Sequence, residues 1–348
     1  MQTSIIAAIE EYLPSAKLTN QELSALYADW PAAKILEKTG VETRGIAGAA
    51  ECASDLGYEA AHRLLARGVI EAGQVDFVLF CSQAPDYFLP STACVLQERL
   101  GLPTSCGALD INLGCSGFVY GLSLAKGLIE SSGMRNVLLI TADTYSKFIH
   151  PMDRSVRTVF GDGAAATLVQ AADAQDSQLG PFVFGTDGRG AEKLIVPSGG
   201  MRMPRSAQTA QAVTDAFGNT RSPDNLYMNG PDIMQFTLSM VPGLCRDLCA
   251  KAGVAMEQVD HFVFHQASAF MLEALRKKMK IPPERFSVCL RETGNTVSST
   301  IPIALRREQL SGRIRPGALV MLVGFGVGYS WAATFCRLPT SAGPPKAA

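Results

Sequence analysis

The first half of the chain alternates short apolar runs with longer stretches of helical period. Over 51–68, Ala53, Leu56, Ala60, Leu64 and Leu65 fall on one stripe and Gly68 stops the run, which predicts an amphipathic helix. Asp76–Cys81 (DFVLFC) is a short apolar run of the kind buried at the centre of a sheet. Pro90 and Ser91 suit a helix start and open a helix through Leu100. Strands are predicted at Ala108–Asn112, Val137–Thr141 and 164–170, with a helix ending near Gly133 between the first two. The chain turns polar around 172–180 (AADAQDSQLG). Residues 198–226, rich in Gly, Pro, Ser, Arg, Thr and Gln, carry neither period and predict a lid or a disordered insert. A helix over about 230–251, a strand at 261–265, a helix at 269–280 and two strands flanking a glycine loop follow. This alternation places the chain in the α/β class, and the similar rhythm of 1–174 and 175–348 points to two duplicated halves.

Composition narrows the classes. Of 348 residues, 47% are hydrophobic and 18% charged, below the ~25% usual for globular domains, so a large buried core is expected. A net charge of -1 without a long basic run excludes nucleic acid as an expected partner. The opening MQTSIIAAIEEYLPS lacks a basic segment and carries Glu10 and Glu11, unlike a secretory signal. Nine cysteines without a framework spacing suggest free thiols in a reducing, cytoplasmic setting. Pro316–Cys336 is uncharged and long enough to span a membrane, but Gly317, Gly324, Gly326 and Gly328 break it. ALVMLV, GFGVG and YSWAATF read instead as strand, tight loop and strand, so no membrane span is expected.

Chemistry concentrates at a few positions. Cys115 follows a predicted strand, sits among glycines and begins a helix, where free N–H groups stabilise a thiolate. It reads as a nucleophile or as a buried structural cysteine. His265 ends an apolar strand, the place where open α/β sheets gather catalytic groups, or it is a core histidine. His261, four residues earlier, invites a metal reading that no cysteine or carboxylate cluster completes. Gly294-Asn295-Thr296 is a tight turn whose asparagine serves backbone geometry or offers an amide donor. Gly326-Val327-Gly328 offers backbone N–H groups to an oxyanion, and strand-like sequence after it rules out a dinucleotide loop. Phe160-Gly161-Asp162-Gly163 reads as a structural turn.

Taken together, LPSTACVLQERLG near 89, DINLGCSGFVYGLSLAKGLI around Cys115, FGDGAAATLV at 160–169, HQAS at 265, GNTVSSTIP at 294 and GFGVGYSW at 324 resemble the thiolase superfamily, specifically the β-ketoacyl-acyl-carrier-protein synthase III family. The resemblance implies a five-layer αβαβα fold of two similar halves, commonly a homodimer. It implies Cys115 as acyl-accepting nucleophile, with His265 and Asn295 as the other catalytic groups. The backbone N–H groups of Cys115 and Val327 would form the oxyanion hole, with valine where glycine is usual. No metal or cofactor is implied; the substrates would be acyl-CoA and malonyl-ACP or malonyl-CoA, with an acyl carrier protein as partner. Leu89, Phe118 and Met203 are candidate pocket residues, and Arg276, Lys277 and Lys278 candidate carrier-docking residues beside Lys280. Several positions depart from the family: Lys34 and Lys38 stand where some members place a tryptophan and an arginine against the CoA adenine. Phe270 and Gln235 replace basic docking residues, HQAS replaces HQAN, and 198–226 is long, which favours a specialised member. The expected reaction is decarboxylative condensation; the alternative is acyl transfer to an amine or hydroxyl with His265 as general base.

Overall fold

The structure is a computed structural model and describes residues 2–173 and 179–338. Strands β1 (Gln2–Tyr12), β2 (Phe77–Cys81), β3 (Gly107–Ile111), β4 (Asn136–Asp143) and β5 (Gly163–Asp173) form one sheet in the order β1-β5-β4-β2-β3. The three strands β4, β2 and β3 run parallel, and β5 is antiparallel to both β4 and β1. Strands β6 (Leu179–Thr186), β7 (His261–Phe264), β8 (Leu319–Gly326) and β9 (Ser330–Arg337) form the second sheet in the order β6-β9-β8-β7. Its β7 and β8 are parallel, its β8–β9 and β9–β6 pairs antiparallel, and Phe286 makes a parallel bridge to Phe262 where β3 stands in the first sheet. Order and direction thus repeat, which is the expected duplication. The boundary expected at 174/175 lies within 174–178, outside the described residues.

Hydrophobic burial on both faces of each sheet makes the layers. Helices α3 (Gly117–Ser132) and α6 (Thr300–Leu310) lie between the sheets, where Phe118, Leu122, Ile301 and Leu305 meet Leu79 and Leu139 on one side and Val320 and Leu322 on the other. Alternate residues of β2 and β4, such as Val78, Phe80, Leu138 and Ile140, face outward under α1 (Ala53–Ala66) and α2 (Thr92–Arg99). On the far side, Phe262, Phe264, Met321 and Val323 are covered by α4 (Gly230–Ala252) and α5 (Ala269–Lys278). Strands buried on both faces read as continuous apolar runs, which is why β2, β4 and β8 were visible in the sequence.

Two of these nine strands escaped the pattern. In β1 a bulge between Ile6 and Ala8 breaks the alternation, and the buried Glu10 is satisfied only by tertiary pairing with Arg67 and Arg306. Strand β6 alternates buried and exposed positions only weakly and is recognisable chiefly from its pairing with β9. The start of α2 is as expected, but Ser91 does not cap it; the Thr92 and Ala93 N–H groups both donate to the carboxylate of Asp110 on β3, at 2.7 Å each.

Residues 198–226 are neither a free lid nor disordered. Val213–Thr214 pairs with Thr220–Arg221, and the Arg221 guanidinium joins Asp153 at 2.6 Å and Asp215 at 2.9 Å. The Ser198 N–H donates to the Pro223 carbonyl at 3.1 Å and closes the base of the segment. The uncharged stretch 316–336 forms β8, a tight turn and β9, and no helix among the described residues is long and apolar enough to cross a membrane.

Candidate active site

Cys115 lies at the turn between β3 and α3, and β8 presses directly on that turn. A Cβ added at Gly324 would stand 2.7 Å from the Ser116 Cα, and one at Gly326 would stand 2.6 Å from the Cys115 Cβ and 2.7 Å from its Sγ. Only glycine at these positions lets the second half's strand approach the first half's cysteine. The neighbouring Ser116 hydroxyl meets the Ser330 hydroxyl at 2.6 Å, and Ser330 donates to the Val327 carbonyl at 3.0 Å, which ties the Cys115 turn to the glycine loop.

Asn295 is carried by the turn after Arg291 and is stitched to the first half: its N–H donates to the Val159 carbonyl at 2.9 Å and its carbonyl accepts the Gly161 N–H at 3.1 Å. Its side-chain oxygen accepts the Val297 N–H at 2.9 Å, which orients the carboxamide and leaves its NH₂ group free of that bond. Val297 itself has φ 55°, a left-handed conformation that costs a β-branched residue about 1–3 kcal/mol. The strain is held by the Asn295 bond and by Ser298, whose N–H and hydroxyl both donate to Asp143.

His265 follows β7. Its N–H donates to the Val323 carbonyl at 2.8 Å, its ring stands edge-on to Phe325, and its Nδ1 is 2.7 Å from the Thr300 hydroxyl. Cys115, His265 and Asn295 line one cavity of about 360 Å³, walled by Met228, Ile233, Met234, Met271 and Phe325, with the exposed Phe270 at its rim. Leu194 separates it from a larger cavity of about 990 Å³ that includes Gln83, Tyr145, Phe88, Arg205 and Val327.

The electrostatics correct one expectation. Burial pushes the Cys115 thiol up to about 12, against the backbone N–H groups of Val327 and Cys115 itself, which pull it down. The start of α3 therefore does not offset the burial that keeps the thiol protonated. Burial also pushes His265 down to about 3, so the resting pair is a neutral thiol and a neutral imidazole.

Other expectations resolve individually. Phe118 is fully buried between the sheets and lines neither cavity, so it is a core residue rather than a pocket wall. Leu89 is 82% exposed and Met203 is 41% exposed; within one chain neither lines these cavities, whereas Phe88, Met201 and Arg205 do. Arg276 is bound to Glu273 and to the Ile281 carbonyl, and Lys277 also reaches Glu273 at 3.4 Å while staying exposed beside the exposed Lys278. His261 faces the Ser287 hydroxyl at 2.9 Å, and no metal-ligating cluster occurs among the described residues. An aromatic ring does accompany Lys34: Trp30, just before the helix that carries Lys34, has the Lys34 ammonium and the Arg154 guanidinium 5.4 and 5.5 Å from its ring centre. The buried Asp162 accepts from the Ala47 and Ser146 N–H groups, which makes its turn structural, as read.

Asp143 and Thr300 were missed. Asp143 ends the apolar run of β4 and His265 directly follows that of β7, so the same strand-end signal marked it. Thr300 carried no signal, because its importance comes only from facing an imidazole 35 residues away in sequence.

Two duplicated α/β halves that converge a thiol, an imidazole and a carboxamide on one apolar cavity define an acyl-transferring enzyme of the thiolase fold. Residues 109–188 match the family described as 3-oxoacyl-[acyl-carrier-protein (ACP)] synthase III, and residues 249–338 match its C-terminal region. The β-ketoacyl-[acyl-carrier-protein] synthase III of Caldanaerobacter subterraneus is 34% identical over 326 residues, covering 94% of this chain and 95% of that protein. A solved 3-oxoacyl-(acyl-carrier-protein) synthase III is 56% identical with a TM-score of 0.95, covering 97% of this chain and 100% of the other. The 3-oxoacyl-(acyl-carrier protein) synthase of Burkholderia xenovorans LB400 is 37% identical with a TM-score of 0.88, covering 98% and 96%. The chain belongs to the 3-oxoacyl-[acyl-carrier-protein] synthase III family and is a condensing acyltransferase of that type.

Proposed function

We propose that this enzyme loads an acyl group from acyl-CoA onto Cys115 and condenses it with a malonyl thioester, on ACP or CoA, to give a 3-oxoacyl thioester. In the first step the Cys115 sulfur bonds to the acyl carbon, the bond to the CoA sulfur breaks, and the proton lost by one thiol is matched by that gained by the other. The backbone N–H groups of Cys115 and Val327, which pull the thiol's pKa down, would hold the oxyanion of this transfer. In the second step the malonyl carboxylate leaves as CO₂ and its electron pair forms an enolate. The Asn295 NH₂ group and the His265 Nε2–H stabilise that oxygen, the enolate carbon attacks the acyl group, and the expelled Cys115 thiolate takes up one proton. The observation that carries this reading is the meeting of Cys115, His265 and Asn295 on one cavity from both halves of the chain. A histidine held near 3 is a poor general base and a good neutral donor, which speaks against acyl transfer to an amine or hydroxyl.

No metal or cofactor is needed for these steps. Trp30 with Lys34 and Arg154 offers an aromatic face beside cations for a CoA nucleotide, and Lys277 and Lys278 suit an acidic carrier. We infer a homodimer joined along β3: it is a sheet edge, Leu109 on it is 47% exposed, and Phe88 and Leu89, just before the helix that Asp110 caps, are 77% and 82% exposed. A cytoplasmic site agrees with nine unpaired cysteines. Intact-mass measurement with acyl-CoA tests the first step: the wild-type chain gains one acyl mass and Cys115→Ala gains none. Equal labelling of both would remove Cys115 from the mechanism. Release of CO₂ from malonyl thioester, dependent on that adduct, tests the second.

A further inference from the structure

His265 has one ring nitrogen in the interior of the protein and one left for the cavity, and which of them carries the proton decides what the site can do. The imidazole is neutral in its buried setting, so it holds one ring proton. Among the described residues its Nδ1 pairs with the Thr300 hydroxyl, at 2.7 Å, and Thr300 is itself buried at the first turn of α6. That hydroxyl also has one proton and two neighbours: Nδ1, and the Val297 carbonyl at 3.1 Å. If the hydroxyl donates to Val297, Nδ1 must be the protonated nitrogen and Nε2 shows the cavity a lone pair. If it donates to Nδ1, the proton of the ring is on Nε2.

The shorter contact is the one to nitrogen. The Val297 carbonyl stands at the start of a 3₁₀ turn that runs into α6, where backbone N–H groups three and four residues on can serve it without the hydroxyl. We propose that Thr300 is a positioning residue: by donating to Nδ1 it holds His265 in the Nε2–H tautomer and makes the cavity-facing nitrogen a hydrogen-bond donor. The tautomer is thereby matched to the enolate step and unsuited to proton abstraction. This inference rests on the reading of His265 as an enolate donor.

The test compares Thr300→Val, which removes the hydroxyl at nearly constant shape, with Thr300→Ser, which keeps it. Three quantities are read: the acyl mass gained by Cys115, the rate of CO₂ release from malonyl thioester, and the ¹⁵N shifts of His265 in the wild-type protein. Thr300→Val gains the acyl mass within about twofold of the wild-type rate and releases CO₂ about tenfold more slowly, and Thr300→Ser restores release to within about threefold. The wild-type ¹⁵N spectrum places the proton on Nε2. A proton on Nδ1, or undiminished CO₂ release by an acylated Thr300→Val, overturns the proposal. If Thr300→Val fails to acylate, the wild-type spectrum and Thr300→Ser decide. His265→Ala separates the two levels: undiminished CO₂ release there removes the underlying role of His265 itself, whatever Thr300 does.

Discussion

Replacing Asp143 by asparagine probes a buried carboxyl group that joins the two halves. Asp143 is fully buried at the end of β4, where one oxygen accepts the Gln83 N–H at 2.8 Å and the Ser82 hydroxyl at 3.4 Å, and the other accepts the Ser298 N–H at 3.1 Å and the Ser298 hydroxyl. Despite these donors, burial raises its pKa from 3.8 to about 7. The folded state therefore binds a proton that the unfolded state releases between about pH 4 and pH 7. Stability from this group is fully present below pH 4 and is lost as pH rises through 7, a change of about 4 kcal/mol. His265, lowered by burial to about 3, acts in the opposite sense, because the unfolded imidazole is protonated up to about pH 6.5 and the folded one is not. The wild-type profile alone hides both effects. Asp143→Asn has no proton to lose in either state, so the wild-type stability minus that of the variant isolates the carboxyl group. Urea midpoints measured at matched protein concentration show this difference falling by about 4 kcal/mol between about pH 4 and pH 8, and a difference constant to within about 1 kcal/mol refutes the reasoning.

Gly326→Ala would place a methyl group 2.7 Å from the Cys115 sulfur; the adduct-forming rate with acyl-CoA falls about a hundredfold or more while the far-ultraviolet circular dichroism is retained. Asn295→Ala and His265→Ala each remove one enolate donor, so CO₂ release falls about 10²–10³-fold while the Cys115 adduct still appears in the mass spectrum. Loss of the adduct in both would move these residues to the first step.

Much of the architecture was legible because its signals are local. A strand buried on both faces needs an unbroken apolar run, and β2, β4 and β8 have one; α1 and α4 carry a 3.6-residue stripe between recognisable ends. Strand β1 lacked that signal because a bulge resets its alternation and a buried glutamate interrupts it. Glycines 324 and 326 marked a tight approach in the sequence, but not that Cys115 was what approached.

The residue sequence by itself determined which side chains are available for chemistry and that two halves share one rhythm. Tertiary structure alone decided their state. Cys115 is a neutral thiol because segments from both halves exclude water from it, and His265 is neutral for the same reason. Phe118, two positions into α3, became a core residue because that helix is sandwiched between sheets. Arg276 became a structural ion pair because Glu273 lies one turn away and the Ile281 carbonyl closes over it. Desolvation and hydrogen-bond direction depend on atoms brought together from distant parts of the chain, so no local pattern encodes them.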